Sequence, residues 1–328
     1  MKELKGISVV IPNFNGRLLL PEILPPLYIA LDNTGLLFEV IISDDNSTDE
    51  SISYIKENFP KIIIVQNKIN KGFSPTINKG IFLAKYDLLL LLNSDVKLTN
   101  SYLKNILTYF DNEDTFGVMG RIIGWDNNEI QDGGKYPSYH GTKIKTSGNF
   151  IPLNNSENEK FYSFYLSGAN ALVSKEKIIT LGGFNEIFAP FYIEDVELSL
   201  RAWRMGWKCY YEHNAICEHK TSVTIKTKES AKFVKTIYSR NKMYLHSIHL
   251  QGYNLTLWYL QLIPELLLNV FMGRFWYIKS LKMFFTSKKE VEESKTNFLK
   301  TSKNNLISVN EVVNKILNPL KNKSLKRF

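Results

Sequence analysis

Acidic side chains occur at three points where a predicted strand ends or a predicted helix begins. Asp44 and Asp45 close one apolar run, Asp95 follows another, and Asp195 opens a helical stretch. Taken singly, each carboxylate has a structural explanation, because acidic residues form turns and favour the first turn of a helix. Taken together they can converge on one crevice, where carboxylates can bind a divalent cation or accept a proton from a hydroxyl group.

The elements that must position these groups follow from the alternation of apolar runs with helical patterns in the first half of the chain. Strands are predicted at residues 8–11, 38–43, 62–66 and 88–92. The last of these runs is apolar on both faces, as a central parallel strand requires. The alternation predicts a doubly wound, Rossmann-like α/β fold, with a mostly parallel sheet and helices on both faces. In such sheets ligands bind at the carboxyl ends of the strands.

Capping residues mark the predicted helix boundaries in this half. Ser47 and Glu50 predict a capping box that opens a helix running toward Asn58. Ser74 followed by Pro75 predicts a second helix start, because proline fits the first helical position. Each helix would lie between two consecutive strands, as a doubly wound sheet requires.

The second half of the chain mixes strands with less regular segments. Residues 124–152 are rich in Gly, Asn and charge, so we expect an irregular excursion over the site, with a surface turn at 132–134 that an acceptor could also contact. Strands are expected at 161–166, 170–173 and 208–219.

A further helix is expected over residues 194–205, where Gly206 stops it. On this helix, Glu197 and Arg201 have the four-residue spacing of an ion pair on a helix surface.

The character of the chain changes beyond Glu229. Residues 255–272 are largely apolar, but Pro264 and Glu265 interrupt them, and a spanning helix needs about 20 predominantly apolar residues. Residues 274–282 mix cations with aromatic residues, which suits a helix lying in the headgroup layer. A hydrophobic helix packed on the rest of the protein, or on a second subunit, is the alternative. The sequence favours contact with an anionic membrane surface.

Charge and composition exclude several classes of protein. The net charge is +9, but residues 288–328 hold ten Lys or Arg against four Glu, so the body is near neutral and nucleic-acid binding is disfavoured. Cys209 and Cys217 form neither a disulfide framework nor a metal-ligand spacing. No secretory signal precedes the first strand, so a cytoplasmic setting is expected. No GxGxxG follows that strand and no Walker A sequence occurs, which argues against dinucleotide oxidoreductases and P-loop nucleotidases.

Five segments of this chain resemble the motifs of family two glycosyltransferases with the GT-A fold. They are residues 9–15 (VVIPNFN), 42–49 (ISDDNSTD), 70–80 (NKGFSPTINKG), 91–95 (LLNSD) and 182–198 (GGFNE and EDVEL at its two ends). The motifs occur in the family's order and spacing over about the first two-thirds of the chain. The fourth segment corresponds to the family's metal-binding DxD element but begins with Asn93 instead of an aspartate.

The resemblance implies a role for individual residues on the donor side. The backbone near Pro12 and the carboxylates of Asp44 and Asp45 would hold the nucleoside, while Gly168 would lie in the tight loop that lines the donor sugar. The full implied donor-binding set is Pro12, Asn13, Phe14, Asp44, Asp45, Gly72, Asn78, Asn93, Ser94, Gly168 and Glu194.

The same resemblance implies a metal site and a base. Asp95, completed by His219, would bind a divalent cation, Mn²⁺ or Mg²⁺, that bridges the donor diphosphate. Asp195 would be the general base that takes the proton of the acceptor hydroxyl. One base opposite the leaving group predicts direct displacement with inversion.

These inferences predict a metal-dependent glycosyltransferase that moves a sugar from a nucleotide-diphosphate donor to a glycan or lipid-linked acceptor. No QxxRW element occurs, so single addition is preferred over processive synthesis. Residues 191–195 and 240–241 are most similar to those of bacterial rhamnosyltransferase-type members, which build surface polysaccharide. A catalytically inactive nucleotide-sugar binder or assembly protein with the same fold is the alternative.

The predicted domain organisation follows the motifs. Residues 1–228 would form the GT-A catalytic domain, with a nucleotide-binding half over about 1–120 and an acceptor half over about 121–228. Residues 229–328 would form a helical, partly apolar and basic extension that binds the inner face of the cell membrane peripherally. Assembly into a homo-oligomer stays open.

Overall fold

A large mixed sheet with helices on both sides forms the centre of the molecule. The computed structural model describes residues 4–154, 159–220, 230–302 and 305–328. The strands are β1 (Gly6–Asn13), β2 (Leu37–Asp44), β3 (Ile63–Gln66), β4 (Leu88–Leu92), β5 (Val96–Leu98), β6 (Thr115–Gly124), β7 (Ile130–Asp132), β8 (Gly134–Lys135), β9 (Ser138–His140), β10 (Lys143–Lys145), β11 (Asn149–Pro152), β12 (Phe161–Tyr162), β13 (Asn170–Ser174), β14 (Lys208–His219) and β15 (Leu325–Arg327).

The helices flank this sheet and then continue as a C-terminal group. Short 3₁₀ turns occur at Thr108–Asp111 and Glu186–Phe188. The α-helices are α1 (Leu20–Asp32), α2 (Ser51–Asn58), α3 (Phe73–Leu83), α4 (Tyr102–Leu107), α5 (Lys175–Thr180), α6 (Glu194–Arg204), α7 (Ala231–His249), α8 (Gly252–Phe271), α9 (Trp276–Thr286), α10 (Lys288–Thr301) and α11 (Val309–Leu320).

The strand order of the large sheet is β12–β14–β6–β13–β4–β1–β2–β3, with β5 beside β14 and β7 beside β6. Strands β3, β2, β1 and β4 run parallel, and β14 runs parallel to β6. Strand β13 joins the two parallel groups by antiparallel pairing. The predicted α/β architecture is confirmed. The carboxyl ends of β1, β2 and β4 lie at one edge, where such sheets bind ligands.

Alternate residues of the central strands belong to two separate cores. Val9 packs in one core and Val10 in the other, and Leu90 and Leu91 divide in the same way. Successive side chains of a strand point to opposite faces, so a run apolar on both faces needs a cover on each side. Burial of each such side chain stabilises the fold by about 1.5–3 kcal/mol.

The predicted capping box is wrong. Helix α2 begins at Ser51, and its N-cap residue Glu50 makes no side-chain cap hydrogen bond. The Ser47 hydroxyl donates instead to Asp44 Oδ1 at 2.5 Å, and its amide donates to Asp44 Oδ2 at 2.9 Å. A carboxylate is the stronger acceptor, so Ser47 stays in the loop after β2. Asp49 serves the helix start, because its Oδ1 accepts from the Ser51 amide at 3.0 Å.

The predicted irregular excursion over residues 124–152 is also wrong, because this segment forms short strands. Strand β7 pairs with β6, β9 pairs with β10, and β11 lies between β8 and β15. Gly134 makes this packing close: a Cβ there would lie 2.4 Å from the Phe150 ring. By contrast, the strand expected over 161–166 is shorter and covers only β12.

The pair of Glu197 and Arg201 is not on a helix surface. Glu197 is fully buried and Arg201 is 5% exposed. Arg201 donates to Glu197 Oε2 at 3.0 Å and to the carbonyl oxygens of Leu181 and Gly183. His249, on α7, lies with Nε2 3.6 Å from Glu197 Oε1. The four-residue spacing is as predicted, but the pair joins α6 to its neighbours inside the protein.

The C-terminal helices share a core with the sheet. One cluster of buried side chains includes Val10 of β1, Tyr244 of α7, Phe284 of α9 and Val312 of α11. The regions predicted as 1–228 and 229–328 are therefore continuous through their packing. Among the helices of the described residues, none combines the length and hydropathy that crossing a bilayer demands.

Candidate active site

A cavity of about 260 Å³ lies at the carboxyl ends of β1, β2 and β4. It collects most of the residues that the sequence predicted for donor binding. It also includes residues that the sequence analysis did not identify, because loops distant in sequence bring them in. The lining residues are Pro12, Asn13, Phe14, Asp45, Asn70, Gly72, Phe73, Thr76, Asn93, Ser94, Asp95, Pro190 and Phe191.

Asp45 shapes one wall of this cavity by holding the loop that leads into α3. Its Oδ1 accepts from the Lys71 amide at 2.8 Å and its Oδ2 from the Gly72 amide at 2.9 Å. Asn67, buried behind the loop, donates to Oδ1 at 2.8 Å. Gly72 has φ +85°, and a Cβ there would lie 2.6 Å from Pro190 Cα. The close contact between the two walls therefore requires glycine.

Four predicted donor-binding residues do not line the cavity: Asp44, Asn78, Gly168 and Glu194. Asp44 is 1% exposed and accepts from Asn13 Nδ2 at 2.9 Å, so it lies beneath the cavity floor. Asn78 faces away from it on α3, donating to the Phe184 carbonyl and accepting from the Phe184 amide, both at 2.8 Å. The side chains of Asp44 and Asn78 support backbone near the cavity, and spacing along the chain gave no sign of this difference.

Asp95 and His219 meet at the edge of the cavity. His219 Nε2 lies 3.4 Å from Asp95 Oδ2, and His219 Nδ1 lies 2.8 Å from Gln131 Oε1. When Nδ1 donates to this amide oxygen, Nε2 carries a lone pair that faces the carboxylate. Asp95 Oδ1 and Asn93 Oδ1 are buried and have no hydrogen-bond partner among the described residues. A cation is the chemical group that would satisfy this arrangement of donor atoms.

Few protein ligands are available at this edge. In the parts of the chain that the structure describes, no group of three His, Cys, Asp or Glu side chains is placed to hold an ion. A carboxylate and a histidine fit a cation that takes its remaining ligands from phosphate oxygens and water, as Mg²⁺ does at nucleotide sites. The histidine nitrogen favours Mn²⁺ over Mg²⁺.

Asp195 lies at the N-terminal end of α6, next to Gly168. A Cβ on Gly168 would come within 4.0 Å of Asp195 Cβ and 3.2 Å of the Phe73 ring. Tyr192 and Ile193 precede the helix with φ of 74° and 73°, a left-handed conformation that costs about 1–3 kcal/mol per residue. This strained turn leads into α6 at the point where Asp195 lies beside the loop that contains Gly168.

The pKa values of the two carboxylates at this helix start are raised. Removal from water raises the pKa of Asp195, opposed by its hydrogen bond from the Val196 amide and by the charge of Lys135. Burial and the neighbouring Asp195 raise the pKa of Glu194 further above its ordinary value. A carboxylate whose pKa is raised toward neutrality is a better proton acceptor than an ordinary aspartate.

The segment predicted as a surface turn at 132–134 instead leads into a buried ion pair on the flank of Asp195. Lys135 is 4% exposed, and its ammonium contacts Asp132 Oδ1 and lies 3.1 Å from Asn149 Oδ1. The ammonium is also 5.0 Å from the centre of the Tyr165 ring. Asp132 and Lys135 act electrostatically on Asp195 with opposite signs. Sequence reasoning missed Lys135, which follows Gly133 and Gly134 directly in the chain.

Comparison with known proteins gives a family and a fold. Residues 8–182, more than half of the chain, match the sequence profile of glycosyl transferase family 2. Polypeptide N-acetylgalactosaminyltransferase 6 of Bos taurus is 23% identical over 239 residues, which are 66% of this chain and 37% of that protein. The chain thus spans little more than a third of that relative.

Two further similar proteins agree with this family assignment. The N-acetylglucosaminyl-diphospho-decaprenol L-rhamnosyltransferase of Mycobacterium tuberculosis (strain ATCC 25618 / H37Rv) is 24% identical over 213 residues, or 56% of this chain and 67% of that protein. The crystal structure of GalNAc-T7 with UDP, GalNAc and Mn²⁺ superposes with a TM-score of 0.64 at 16% identity, covering 98% of this chain and 58% of that one. At this identity the superposition concerns the fold. Profile, motif order and fold agree that this chain belongs to glycosyl transferase family 2 and has the GT-A fold.

Proposed function

We propose that this protein transfers a sugar from a nucleoside-diphosphate donor to an acceptor hydroxyl, with inversion at the anomeric carbon. The observation that carries the proposal is the pairing of Asp95 with His219 at one edge of the donor cavity, with Asp195 beside Gly168. A group that can hold a cation and a carboxylate that can take a proton are the two requirements of this reaction.

In this proposal the nucleoside lies in the cavity between the Pro12 backbone and the loop held by Asp45. Asn93 and Ser94 lie along the diphosphate, with Asp95 and His219 holding Mn²⁺ or Mg²⁺. The cation supplies positive charge to the departing diphosphate. Gly168 leaves room for the donor sugar because it has no side chain.

Asp195 is the general base of the proposed reaction. It accepts the proton of the attacking hydroxyl while the nucleoside diphosphate leaves on the opposite face. Burial and the charge of Asp195 raise the pKa of Glu194, which favours its protonated form, and in that form it would donate a hydrogen bond to the bound sugar. The proposed role of the flanking Lys135 is to hold the charged form of Asp195.

The finer assignment is to bacterial surface polysaccharide assembly, with a hexosyl or rhamnosyl donor and a glycan or lipid-linked acceptor. The rhamnosyltransferase likeness supports this choice.

Membrane attachment is proposed for α8, whose exposed side chains include Leu260, Ile263, Leu267 and Phe271. Arg274 follows them and would meet anionic headgroups at the inner face of the cell membrane.

The test is release of nucleoside diphosphate from a panel of nucleotide sugars, with and without Mn²⁺ or Mg²⁺, and with lipid-linked acceptors. We expect metal-dependent release from one donor, lost in Asp95→Ala and retained in Asp111→Ala, whose side chain is exposed far from the cavity. Donor binding without release under every condition would contradict the proposal and favour an inactive binder.

Flotation with liposomes tests membrane attachment. We expect the full chain to float with anionic liposomes and Leu267→Ser with Phe271→Ser to stay in the soluble fraction. A full chain that forms a dimer through this surface and does not float would contradict membrane attachment.

A further inference from the structure

A second cavity of about 220 Å³ lies between β10, α7, α8 and the start of α9. Three lysines line it: Lys143 from β10, and Lys235 and Lys242 from α7. Aromatic side chains, including Tyr238 and Trp276, form another part of its wall. The proposed donor cavity and this one have no lining residue in common, so they are separate cavities.

Positive charge in this cavity exceeds negative charge. Glu265 contacts Lys143 and accepts from the Tyr277 hydroxyl at 3.0 Å. The same carboxylate acts electrostatically on Lys242. Within the described part of the chain, no carboxylate lies in ion-pair contact with Lys235 or Lys242. Glu265 therefore offsets the charge of Lys143 and Lys242, while Lys235 is exposed and has no ion-pair partner among the described residues.

Lys143 and Lys242 are held close together at a cost. Burial and the charge of Lys242 lower the pKa of Lys143, while burial and the charge of Lys145 lower that of Lys242. Lys242 Nζ also lies 5.3 Å from the centre of the Tyr238 ring. Partly buried like charges without enough counter-charge form a site that an anion would stabilise.

An apolar surface lies on one side of the cavity. Asn269 and Trp276 line the cavity, and the residues between them in the chain expose large apolar side chains. Phe271 is 91% exposed and Phe275 is 64% exposed. Large exposed apolar side chains next to a cationic cavity match a ligand that has an anionic group attached to an apolar chain.

The other side of the cavity leads toward Asp195. The Tyr238 ring lies 6.0 Å from the Tyr192 ring, in the strained turn that precedes α6. The Tyr238 hydroxyl is 3.2 Å from Thr146 Oγ1, and the Thr146 carbonyl accepts from the Tyr165 hydroxyl at 2.8 Å. Tyr165 in turn is an electrostatic neighbour of Asp195. The cavity thus lies between the apolar surface and the proposed base.

We propose that this cavity binds the phosphate or diphosphate of an amphiphilic acceptor, whose apolar chain lies on the α8–α9 surface and whose sugar points toward Asp195. The inference rests on the proposed function for the direction of the sugar, but the anion site stands on its own residues. Compact ammonium groups suit phosphate oxygens.

The experiment measures binding of farnesyl diphosphate, farnesol and inorganic diphosphate to the full chain in detergent, through the fluorescence of Trp276 and its neighbours. We expect farnesyl diphosphate to bind more tightly than either farnesol or inorganic diphosphate. Lys235→Gln with Lys242→Gln should weaken its binding about tenfold or more for each lysine. Lys104→Gln, an exposed lysine on α4, is the matched control and should leave binding unchanged.

Other readouts separate this inference from its alternatives. Without acceptor, the lysine variant and the native chain should bind nucleotide sugar equally and release nucleoside diphosphate equally in the presence of metal. If neither protein releases nucleoside diphosphate, the result contradicts only the proposed function. Farnesyl diphosphate binding that ignores the two lysines would overturn the inference. The inference would also be overturned if the double lysine variant lost only its binding to anionic vesicles, because the lysines would then contact bilayer headgroups. An unchanged unfolding midpoint shows that the variant is folded.

Discussion

His219 Nε2 lies 3.4 Å from Asp95 Oδ2, and backbone pairing fixes this contact. His219 pairs with Val96 where β14 meets β5, and the Asp95 carbonyl accepts from the Lys220 amide at 3.0 Å. A shift of one residue in this register would turn the imidazole to the other face of the strand. The two side chains are thus held together by the sheet before any ligand binds.

Divalent cations should therefore stabilise the protein through these two residues. We expect Mn²⁺ with a nucleoside diphosphate to raise the free energy of unfolding by about 2.7 kcal/mol at a hundredfold excess over Kd. Asp95→Asn and His219→Ala should each remove most of this gain, and Asp111→Asn should keep it. Thermal unfolding with and without Mn²⁺ measures the effect. A full gain in both site variants would place the ion elsewhere.

Asp195→Asn should abolish transfer and leave donor binding nearly intact. The amide is almost the same size as the carboxylate, but it cannot accept the hydroxyl proton. Calorimetric titration with the donor and a turnover assay on the same preparation measure the two properties. Substantial turnover in the variant would show that another group takes the proton.

The pH dependence of transfer should reflect the charges around Asp195. The base acts when deprotonated, so its raised pKa predicts that activity declines on acidification well above the pKa of about 3.9 of an ordinary aspartate. Lys135 lowers the pKa of Asp195, so Lys135→Gln should move this decline to higher pH. Asp132 raises it, so Asp132→Asn should move the decline to lower pH. Profiles of kcat/KM against pH measure both, and shifts of the same sign would contradict the electrostatic account.

Gly72→Ala should destabilise the protein more than Gly35→Ala. Both glycines have positive φ, +85° and +67°, so both variants incur backbone strain of about 1 kcal/mol. Only at Gly72 would the added carbon meet backbone, at 2.6 Å from Pro190 Cα, whereas nothing lies within 4 Å at Gly35. Urea unfolding of both variants gives the difference, and Gly72→Ala should also weaken donor binding. Equal losses of stability would mean that the two walls of the cavity do not meet as described.

Arg201→Met should cost about 3–5 kcal/mol of stability, because it leaves the buried Glu197 carboxylate without its partner. Lys289→Met is the matched control, since Lys289 lies 3.9 Å from Glu293 at the same spacing but on the surface. It should cost no more than about 1 kcal/mol. Denaturant unfolding of both proteins compares them. A small loss of stability in Arg201→Met would show that Glu197 can take up a proton in place of its partner at little cost.

The sequence predicted those parts of the fold in which the residue pattern of an element matches the place of that element in the sheet. Residues 88–92 are apolar on both faces because β4 is central, so pattern alone located this strand. Asp45 and Asp95 were found because strand ends of one sheet meet at one edge. Pattern could not distinguish Asp45, which lines the cavity, from Asp44, which lies under it. That difference depends on which face of the β2 end each side chain occupies and on the hydrogen bonds from Asn13 and Ser47.

The parts that could not be predicted depend on contacts between distant segments. Pro190 and Phe191 reach the donor cavity only because the loop before α6 folds over Gly72. A spacing of four residues identified the pair of Glu197 and Arg201 but carries no information about what covers it. In the same way, Lys135 lies in the segment that was predicted as an irregular excursion, and its burial arises from strands β8 and β11 meeting across an intervening hairpin.

The pairing of β14 with both β5 and β6 also has a consequence for the order in which the protein is made. Strands β1 to β4 leave the ribosome first, yet His219, which contacts Asp95, is made only with the end of β14. Pairing between segments so far apart in the chain is slow, because closing a long loop loses entropy before any contact compensates for it. A nascent chain that stops short of His219 can therefore form the cavity wall held by Asp45 but not the contact between Asp95 and His219, which is the proposed metal site. In this protein, tight cation-dependent binding of the donor would report that translation has passed β14.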